Sequence, residues 1–216
     1  MSVQVRPYDL PDASLFAGTE DDILLWEPES TVIVLGQSNT PALSLIEENV
    51  HADGVPVTKR PTGGEAVVLT SRMAVMTVAR NFPGITSSKG FFTEVNSLIM
   101  KILSDLGVKE LGSKGISDVT VGDRKILGSS MHRREGRLVY HGVLNLGEGT
   151  DVFERYLRHP RREPDYRHGR LHSEFVTSLK EEGYNVDFDD LAKSLDAYAV
   201  AHLPLLNYSM VYDHPK

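Results

Sequence analysis

The longest regular pattern of apolar residues lies between residues 88 and 106. Apolar side chains recur there at alternating spacings of three and four residues, at Phe92, Val95, Ile99, Ile102 and Leu106. This spacing is that of one face of an α-helix, and Gly107 is suited to end it because glycine readily adopts the left-handed conformation that follows many helices. The pattern therefore predicts a long amphipathic helix packed on the core.

Shorter patterns predict the other elements. Runs rich in apolar and β-branched residues predict strands at residues 23–26, 31–35, 54–58, 66–69, 73–79 and 137–146. Other segments predict helices at residues 14–20, 41–50, 150–157, 172–180 and 189–201. Because strands and helices are mixed irregularly, the sequence predicts an α+β fold with a mixed, largely antiparallel sheet flanked by helices, in a single domain of residues 1–216.

The stretch from residue 121 to residue 130 predicts a β-hairpin, because the Gly-Asp pair at residues 122–123 favours a tight turn between two strands. Side chains alternate along a strand, which predicts one face with Lys125, Leu127 and Ser129 and the other with Arg124, Ile126 and Ser130. A lysine fixed on a strand beside small residues can meet an anionic ligand that approaches the backbone closely. A solvated lysine on an exposed hairpin is the alternative.

A second stretch combines two cations with a turn. Lys59 and Arg60 precede a Thr-Gly-Gly sequence at residues 62–64, and an apolar strand follows. Glycines allow several backbone N–H groups to converge on one anion, and Arg60 can add a planar fork of donors. The stretch lacks the phosphate-binding pattern G-x-x-x-x-G-K-[ST], so it does not predict a P-loop. An ordinary turn between two strands is the alternative.

Composition narrows the class of protein. The 216 residues include 23 Lys and Arg against 30 Asp and Glu, a net charge of −7, which argues against a general nucleic-acid binder. Residues 124–170 reverse this balance, with eleven basic and six acidic side chains. That local excess predicts either a solvated surface or a face that meets an acidic ligand or partner.

Two absences complete the composition. The chain has no cysteine, which excludes disulfides, thiolate metal ligands and a cysteine nucleophile. It also shows neither a secretory signal nor an apolar run long enough to cross a bilayer. We therefore expect a cytoplasmic protein that binds neither membrane nor nucleic acid.

Four motifs in order resemble the lipoate–protein ligase A family, within the biotin/lipoate A/B protein ligase superfamily. They are residues 34–37 (VLGQ), residues 59–67 (KRPTGGEAV), residues 117–130 (SDV followed by GDRKILGSS) and residues 141–146 (HGVLNL). Residues 163–167 and 172–175 are also similar to this group. The resemblance covers residues 23–180 and implies the catalytic-domain fold of that superfamily, without the C-terminal accessory domain that longer ligases carry.

The resemblance also implies an activity. Members attach lipoate to one lysine of a small carrier domain, either a 2-oxoacid dehydrogenase E2 domain or the glycine cleavage H protein. They first form a lipoyl-adenylate from lipoic acid and ATP with a divalent metal, here Mg²⁺. Since few residues follow position 180, either a separate accessory subunit supports activation or this chain performs only the transfer. The octanoyltransferase branch carries its acyl group on a cysteine, which this chain lacks.

The resemblance assigns Lys125 as the catalytic residue, a cation that stabilises charge developing on the phosphate and the carbonyl oxygen of the adenylate. It implies no identified metal ligand. The residues implied to contact lipoate or ATP are Arg60, Thr62, Gly63, Gly64, Glu65, Ala66, Val67, Val68, Lys125, Gly128, Ser129, Ser130 and His141.

Two other functions remain open. Glu65 stands where the family often has glycine or arginine, and Leu69-Thr70 stands where it often has His-Asp. These departures favour a non-catalytic protein that binds lipoate or its adenylate. A biotin-type ligase is a third hypothesis, although the glycine-arginine-glycine-rich turn typical of that group is absent.

Overall fold

The computed structural model describes residues 2–82, 87–134, 136–202 and 210–213. Its strands are β1 (Val5–Pro7), β2 (Asp22–Trp26), β3 (Val32–Leu35), β4 (Val57–Lys59), β5 (Val67–Leu69), β6 (Met73–Asn81), β7 (Leu111–Lys114), β8 (Asp118–Val121), β9 (Arg124–Arg134), β10 (Arg137–Asn145) and β11 (Met210–Asp213). Its helices are α1 (Ala13–Ala17), α2 (Pro41–Ser44), α3 (Glu47–Asp53), α4 (Ser88–Asp105), α5 (Asp151–Tyr156), α6 (His172–Phe175) and α7 (Phe188–His202), with a 3₁₀ turn at Asp165–Arg167.

The strands form two sheets in the described part of the chain. The larger sheet has the order β11-β2-β6-β10-β9-β8-β7 and is antiparallel except for the parallel pair β11 and β2. The smaller sheet has the order β1-β4-β3-β5, in which only β3 and β5 are antiparallel. The predicted α+β class, mixed and largely antiparallel, is confirmed, and the structure divides the predicted sheet into two.

Helix α4 covers one face of the larger sheet, as its apolar stripe predicts. Val95, Ile99 and Ile102 are buried in the core together with Tyr140 of β10. The hydroxyl of Ser87 accepts a hydrogen bond from the Gly90 N–H (3.3 Å) and caps the first turn. The long helix thus anchors the central strands that carry the candidate site residues.

Two predicted helices are shorter than the sequence indicates, because tertiary pairing replaces helical hydrogen bonds. The helix predicted at residues 41–50 is interrupted where the buried Leu45 forms an antiparallel bridge with Leu157. The helix predicted at residues 172–180 ends at Phe175, because Val176 pairs with Lys125 and the Thr177 N–H donates to the Lys125 carbonyl (2.9 Å). The other predicted helices match observed ones to within a few residues, and three short strands (β1, β7 and β11) were not predicted.

The predicted face of Lys125 is wrong, because β9 contains a β-bulge. Val119 pairs with Leu127 and Thr120 pairs with Lys125, so β9 carries one extra residue, Ile126, between the two pairs. Directly paired residues point to the same side of a sheet, and Val119 and Leu127 point into the core. The bulge therefore turns Lys125 away from Leu127 and onto the opposite face.

The end of β3 packs closely against the turn that the sequence singled out. The N–H of Gln37 donates to the Thr62 carbonyl (2.9 Å), and the N–H of Arg60 donates to the Leu35 carbonyl (3.0 Å). A Cβ atom at Gly36 would lie 2.0 Å from the carbonyl oxygen of Gly64, so only glycine fits there.

No helix in the described residues combines the length and apolar character that a bilayer crossing requires.

We expect Gly36→Ala to lower the free energy of unfolding by about 1–3 kcal/mol, because the added methyl group must displace backbone. Gly149→Ala is the matched control, since a Cβ there meets no heavy atom within 4 Å. Urea unfolding of the two variants beside the wild type measures the difference. Equal stability of both variants would contradict the close contact between residues 36 and 64.

Candidate functional site

A cleft of about 440 Å³ lies between β5 of the smaller sheet and β9 and β10 of the larger sheet, with residues 157–176 along another side. All but two of the predicted site residues line it, namely Arg60, Gly64, Glu65, Ala66, Val67, Val68, Lys125, Gly128, Ser129, Ser130 and His141. Thr62 and Gly63 do not line the cleft, and both bind Arg60 instead. The sequence motifs thus converge on one place.

Arg60 fixes the shape of the glycine turn, residues 62–64. Its guanidinium donates to the Thr62 hydroxyl (2.7 Å) and to the carbonyls of Val34 (3.2 Å), Gly63 (2.9 Å) and Glu65 (2.9 Å). These bonds use four of the five N–H groups of an arginine side chain. Burial lowers the pKa of Arg60 to about 10. This value is still well above neutral pH, so the side chain stays charged. Its contact with a ligand anion stays a prediction.

A hydroxyl pair joins the glycine turn to β9. The Thr62 and Ser130 hydroxyl oxygens are 2.8 Å apart, and a Cβ placed on Gly64 would lie 3.9 Å from the Ser130 Cβ. Gly64 has φ +91°, a left-handed conformation that favours glycine. The turn is therefore held against the strand that carries Lys125.

Lys125 is held over the cleft by a buried carboxylate. Its Nζ lies 2.9 Å from Oδ1 of Asp118, which is 3 % exposed. Oδ2 of Asp118 accepts a second bond from the Tyr166 hydroxyl (2.8 Å), and burial raises the pKa of Tyr166. A Cβ at Gly128 would lie 2.6 Å from Lys125 Nζ, so the absence of a side chain there makes room for the lysine.

His141 lies between the cleft and a buried acidic network. Its Nε2 is 3.3 Å from Oδ2 of Asp12, without hydrogen-bond geometry. Asp12 accepts hydrogen bonds from the hydroxyls of Tyr8 (2.7 Å) and Thr77 (2.7 Å). Burial lowers the pKa of His141, the Asp12 charge raises it and the Arg60 charge lowers it further. The imidazole is therefore neutral at neutral pH.

The loop after α5, residues 158–170, brings further positive charge to the cleft. Arg158, Arg161, Arg162 and Arg167 line it, with the imidazole of His159. Arg167 is 4 % exposed and its guanidinium carbon lies 4.8 Å from the Phe175 ring centroid. Its Nη2 is buried and has no hydrogen-bond partner among the described residues. An unpaired buried N–H group is costly, which makes Arg167 a candidate donor to a bound anion.

The other part of the cleft is apolar. Its lining side chains come from both sheets, from α2, and from α5 and α6 with the residue after each, namely Leu43, Val68, Met73, Val143, Phe153, Leu157, Phe175 and Val176. An apolar slot beside fixed cations suits a carboxylic acid with an apolar chain.

Sequence reasoning missed three residues of this site. Asp118 was part of a motif but was not assigned a role, and Tyr166 and Arg167 lie in a loop remote from β9 in sequence. Charged and aromatic residues in a proline-containing loop were the available signal. The described residues contain no group of three or more His, Asp or Glu side chains that could hold a metal ion.

The structure is an α+β fold with a partly apolar cleft lined by several cations, and comparison with known proteins supplies its family. The chain belongs to the lipoyl protein ligase A/B catalytic domain family, whose model matches residues 13–199. It is 25 % identical over 208 residues to lipoate-protein ligase A of Psychrobacter cryohalolentis, covering 86 % of this chain and 59 % of that protein. It is 27 % identical over 169 residues to lipoate-protein ligase A of Blochmanniella floridana, covering 76 % of this chain and 46 % of that protein. The chain thus spans about half the length of these relatives.

Solved structures share the fold. A bipartite lipoate protein ligase from Thermoplasma acidophilum, described with its E2 lipoyl domain, superposes with a TM-score of 0.75 at 16 % identity and covers 99 % of this chain and 88 % of that one. LipL1 of Plasmodium falciparum in complex with lipoate gives a TM-score of 0.70 at 21 % identity, covering 90 % of this chain and 54 % of that one. A lipoate-protein ligase A bound with ATP gives 0.75 at 15 % identity, covering 99 % of this chain and 88 % of that one.

We expect the protein to lose stability as the pH falls below about 6.5, where an unfolded histidine takes up a proton that buried His141 does not. His141→Gln should reduce this loss by up to about 1.4 kcal/mol per pH unit. The measurement is urea unfolding between pH 7 and pH 5. His51→Gln, which changes an exposed histidine, serves as control. An unchanged slope in His141→Gln would contradict a neutral buried imidazole.

Proposed function

We propose that this protein attaches lipoate to a lysine of a carrier domain through a lipoyl-adenylate, as an ATP-dependent lipoate–protein ligase. The observation that carries the proposal is the placement of Lys125, which the β9 bulge turns into a cleft with a glycine turn on one side and an apolar slot beside it. Membership of the lipoyl ligase family supports the same activity.

The contacts of the cleft suggest a role for each part. The apolar slot holds the lipoyl chain, and the Lys125 ammonium faces the carbonyl and phosphate oxygens of the adenylate. A fixed cation of this kind stabilises charge that develops during the reaction without losing its own proton. The buried Nη2 of Arg167, which has no partner among the described residues, would donate to a phosphate oxygen.

ATP and Mg²⁺ belong to the activation step of this proposal. A relative's structure contains ATP, and the basic loop at residues 158–170 supplies positive charge for phosphates. Mg²⁺ is often held by one or two carboxylates together with substrate phosphates, so it does not require the protein cage that the described residues lack. Mg²⁺ would neutralise phosphate charge and orient the nucleotide.

The carrier and the setting are part of the same proposal. The T. acidophilum relative is described with an E2 lipoyl domain, which supports an E2 lipoyl domain as the acceptor. The glycine cleavage H protein is the other acceptor that we propose. That relative is bipartite, which supports a separate accessory protein in activation. We place the reaction in the cytoplasm.

Lys125→Ala should reduce acyl transfer by at least about 100-fold, because the cation that faces the reacting oxygens is lost. The substitution should also lower the free energy of unfolding by about 1–3 kcal/mol, since the buried Asp118 loses its charged partner. Lys101→Ala, which removes an exposed lysine paired with Asp105, is the control. Rates are measured by mass spectrometry of the carrier, with unfolding measured in parallel. Transfer at the wild-type rate by a folded Lys125→Ala protein would remove Lys125 from the mechanism.

The activation and transfer steps can be separated. Supplied with pre-formed lipoyl-adenylate and an apo carrier domain, the wild-type chain should lipoylate the carrier, because the cleft contains the groups that we propose to contact the adenylate. Lipoate with ATP should give much less product if an accessory protein is needed. The mass of the carrier reports both reactions. Equal product from both mixtures would contradict the need for a partner.

The alternative is a non-catalytic protein that binds lipoate or its adenylate. The observation in its favour is the Glu65 carboxylate in the cleft, where a negative charge opposes a phosphate. Binding of lipoyl-adenylate without any transfer to a carrier would support this reading over the ligase.

A further inference from the structure

The charges that line the cleft are unevenly divided. Its basic side chains are Arg60, Lys125 and those of residues 158–167, whereas the described residues contribute only two carboxylates, Asp118 and Glu65. A reaction between an amine and an acyl-adenylate must also remove a proton from the amine nitrogen. Either carboxylate could accept it in principle, so their contacts decide between them.

Asp118 is already engaged. It is 3 % exposed and is paired with Lys125 Nζ (2.9 Å), and it accepts bonds from the hydroxyls of Ser117 (3.1 Å) and Tyr166 (2.8 Å). Protonating it would break the ion pair that positions Lys125. Asp118 therefore holds the lysine in place and is unsuited to take a proton during the reaction.

Glu65 is held at the cleft but is much less engaged. Its backbone carbonyl is fixed by Arg60, and its Oε2 accepts a long bond from the Asn39 side-chain amide (3.3 Å). Asn39 is itself held, because its Oδ1 accepts from the Gly36 N–H (2.9 Å). No ion pair to Glu65 is present in the described part of the chain. The carboxylate is thus positioned by a neutral amide and half-buried at the cleft wall.

Glu65 and Lys125 line the same cleft, Glu65 from the segment before β5 of the smaller sheet and Lys125 from β9 of the larger sheet. Gly64, next to Glu65, lies against Ser130, whereas the Lys125 ammonium lies over Gly128. Residues two apart along a strand are about 7 Å apart. An acyl group bound in this cleft would meet both a cation, Lys125, and a carboxylate, Glu65. A cation that stabilises the carbonyl oxygen and a carboxylate that accepts the amine proton would both assist amide formation.

We propose that Glu65 is a catalytic residue that accepts the proton of the attacking carrier lysine, an inference that rests on the proposed function. The neutral amine nitrogen forms a bond to the acyl carbon, and one N–H proton passes to the Glu65 carboxylate. The bond between the acyl carbon and the phosphate oxygen then breaks, and its electron pair leaves with the adenosine monophosphate. The products are the amide, adenosine monophosphate and a protonated Glu65, which later returns its proton to water.

The test measures transfer and adenylate binding separately. Glu65→Gln keeps the size of the side chain and an oxygen for Asn39, but it cannot accept a proton. We expect transfer from pre-formed lipoyl-adenylate to the carrier to fall about 100-fold, within the range of general base catalysis. Affinity for a hydrolysis-resistant lipoyl-adenylate analogue should be equal or greater, because a negative charge near the phosphate is removed. Glu48→Gln, on the exposed side of α3, is the control and should match the wild type.

Each other outcome has a defined meaning. Transfer by Glu65→Gln within about two-fold of the wild type would overturn the proposal. A loss of transfer matched by an equal loss of analogue affinity would also overturn it, because Glu65 would then serve adenylate binding. If the wild-type chain transfers nothing from lipoyl-adenylate, the proposed function itself fails, and this inference fails with it. Partial transfer by Glu65→Asp, with affinity retained, would support a proton acceptor at this position.

Discussion

The extra residue in β9 is the constraint on which the candidate site depends. With Ile126 unpaired, Lys125 leaves the face it would share with Leu127 and turns over Gly128 toward the cleft. Strict alternation would instead point its ammonium into the apolar core, at a prohibitive desolvation cost. The bulge thus lets a strand with a buried face present one charged side chain on the other face, and Asp118 then holds that side chain in place.

The sequence predicted which segments meet, but not how their side chains are oriented. The stripe on α4 and the strand runs were readable because burial imposes a period on the residues. The bulge at Ile126 was not readable, since it depends on how β9 pairs with β8. The same limit applies to Leu45, whose bridge to Leu157 interrupts a good helical pattern. Arg167 was missed because it reaches the cleft through a long loop.

Arg60 and Lys125 have different tasks at the cleft, and the chemistry of each side chain explains the difference. Arg60 is buried and donates to several carbonyls at once, which suits the planar fork of a guanidinium. Lys125 presents one compact charge with a single carboxylate partner. Arg60, which the sequence motif predicts as a ligand-binding residue, therefore also holds the glycine turn in shape. Recognising the motif did not define the contacts of its residues.

The basic loop and the β8–β9 hairpin form a connected unit rather than two independent walls of the cleft. Tyr166 donates to Asp118, and Arg170 donates to the Asp123 carbonyl in the hairpin turn (3.3 Å). Arg167 and Arg170 both lie over the ring of Phe175, at 4.8 and 5.1 Å. A shift of the loop would therefore also disturb the carboxylate that positions Lys125. The position of Lys125 thus depends on the fold of the basic loop as well as on the strand that carries it.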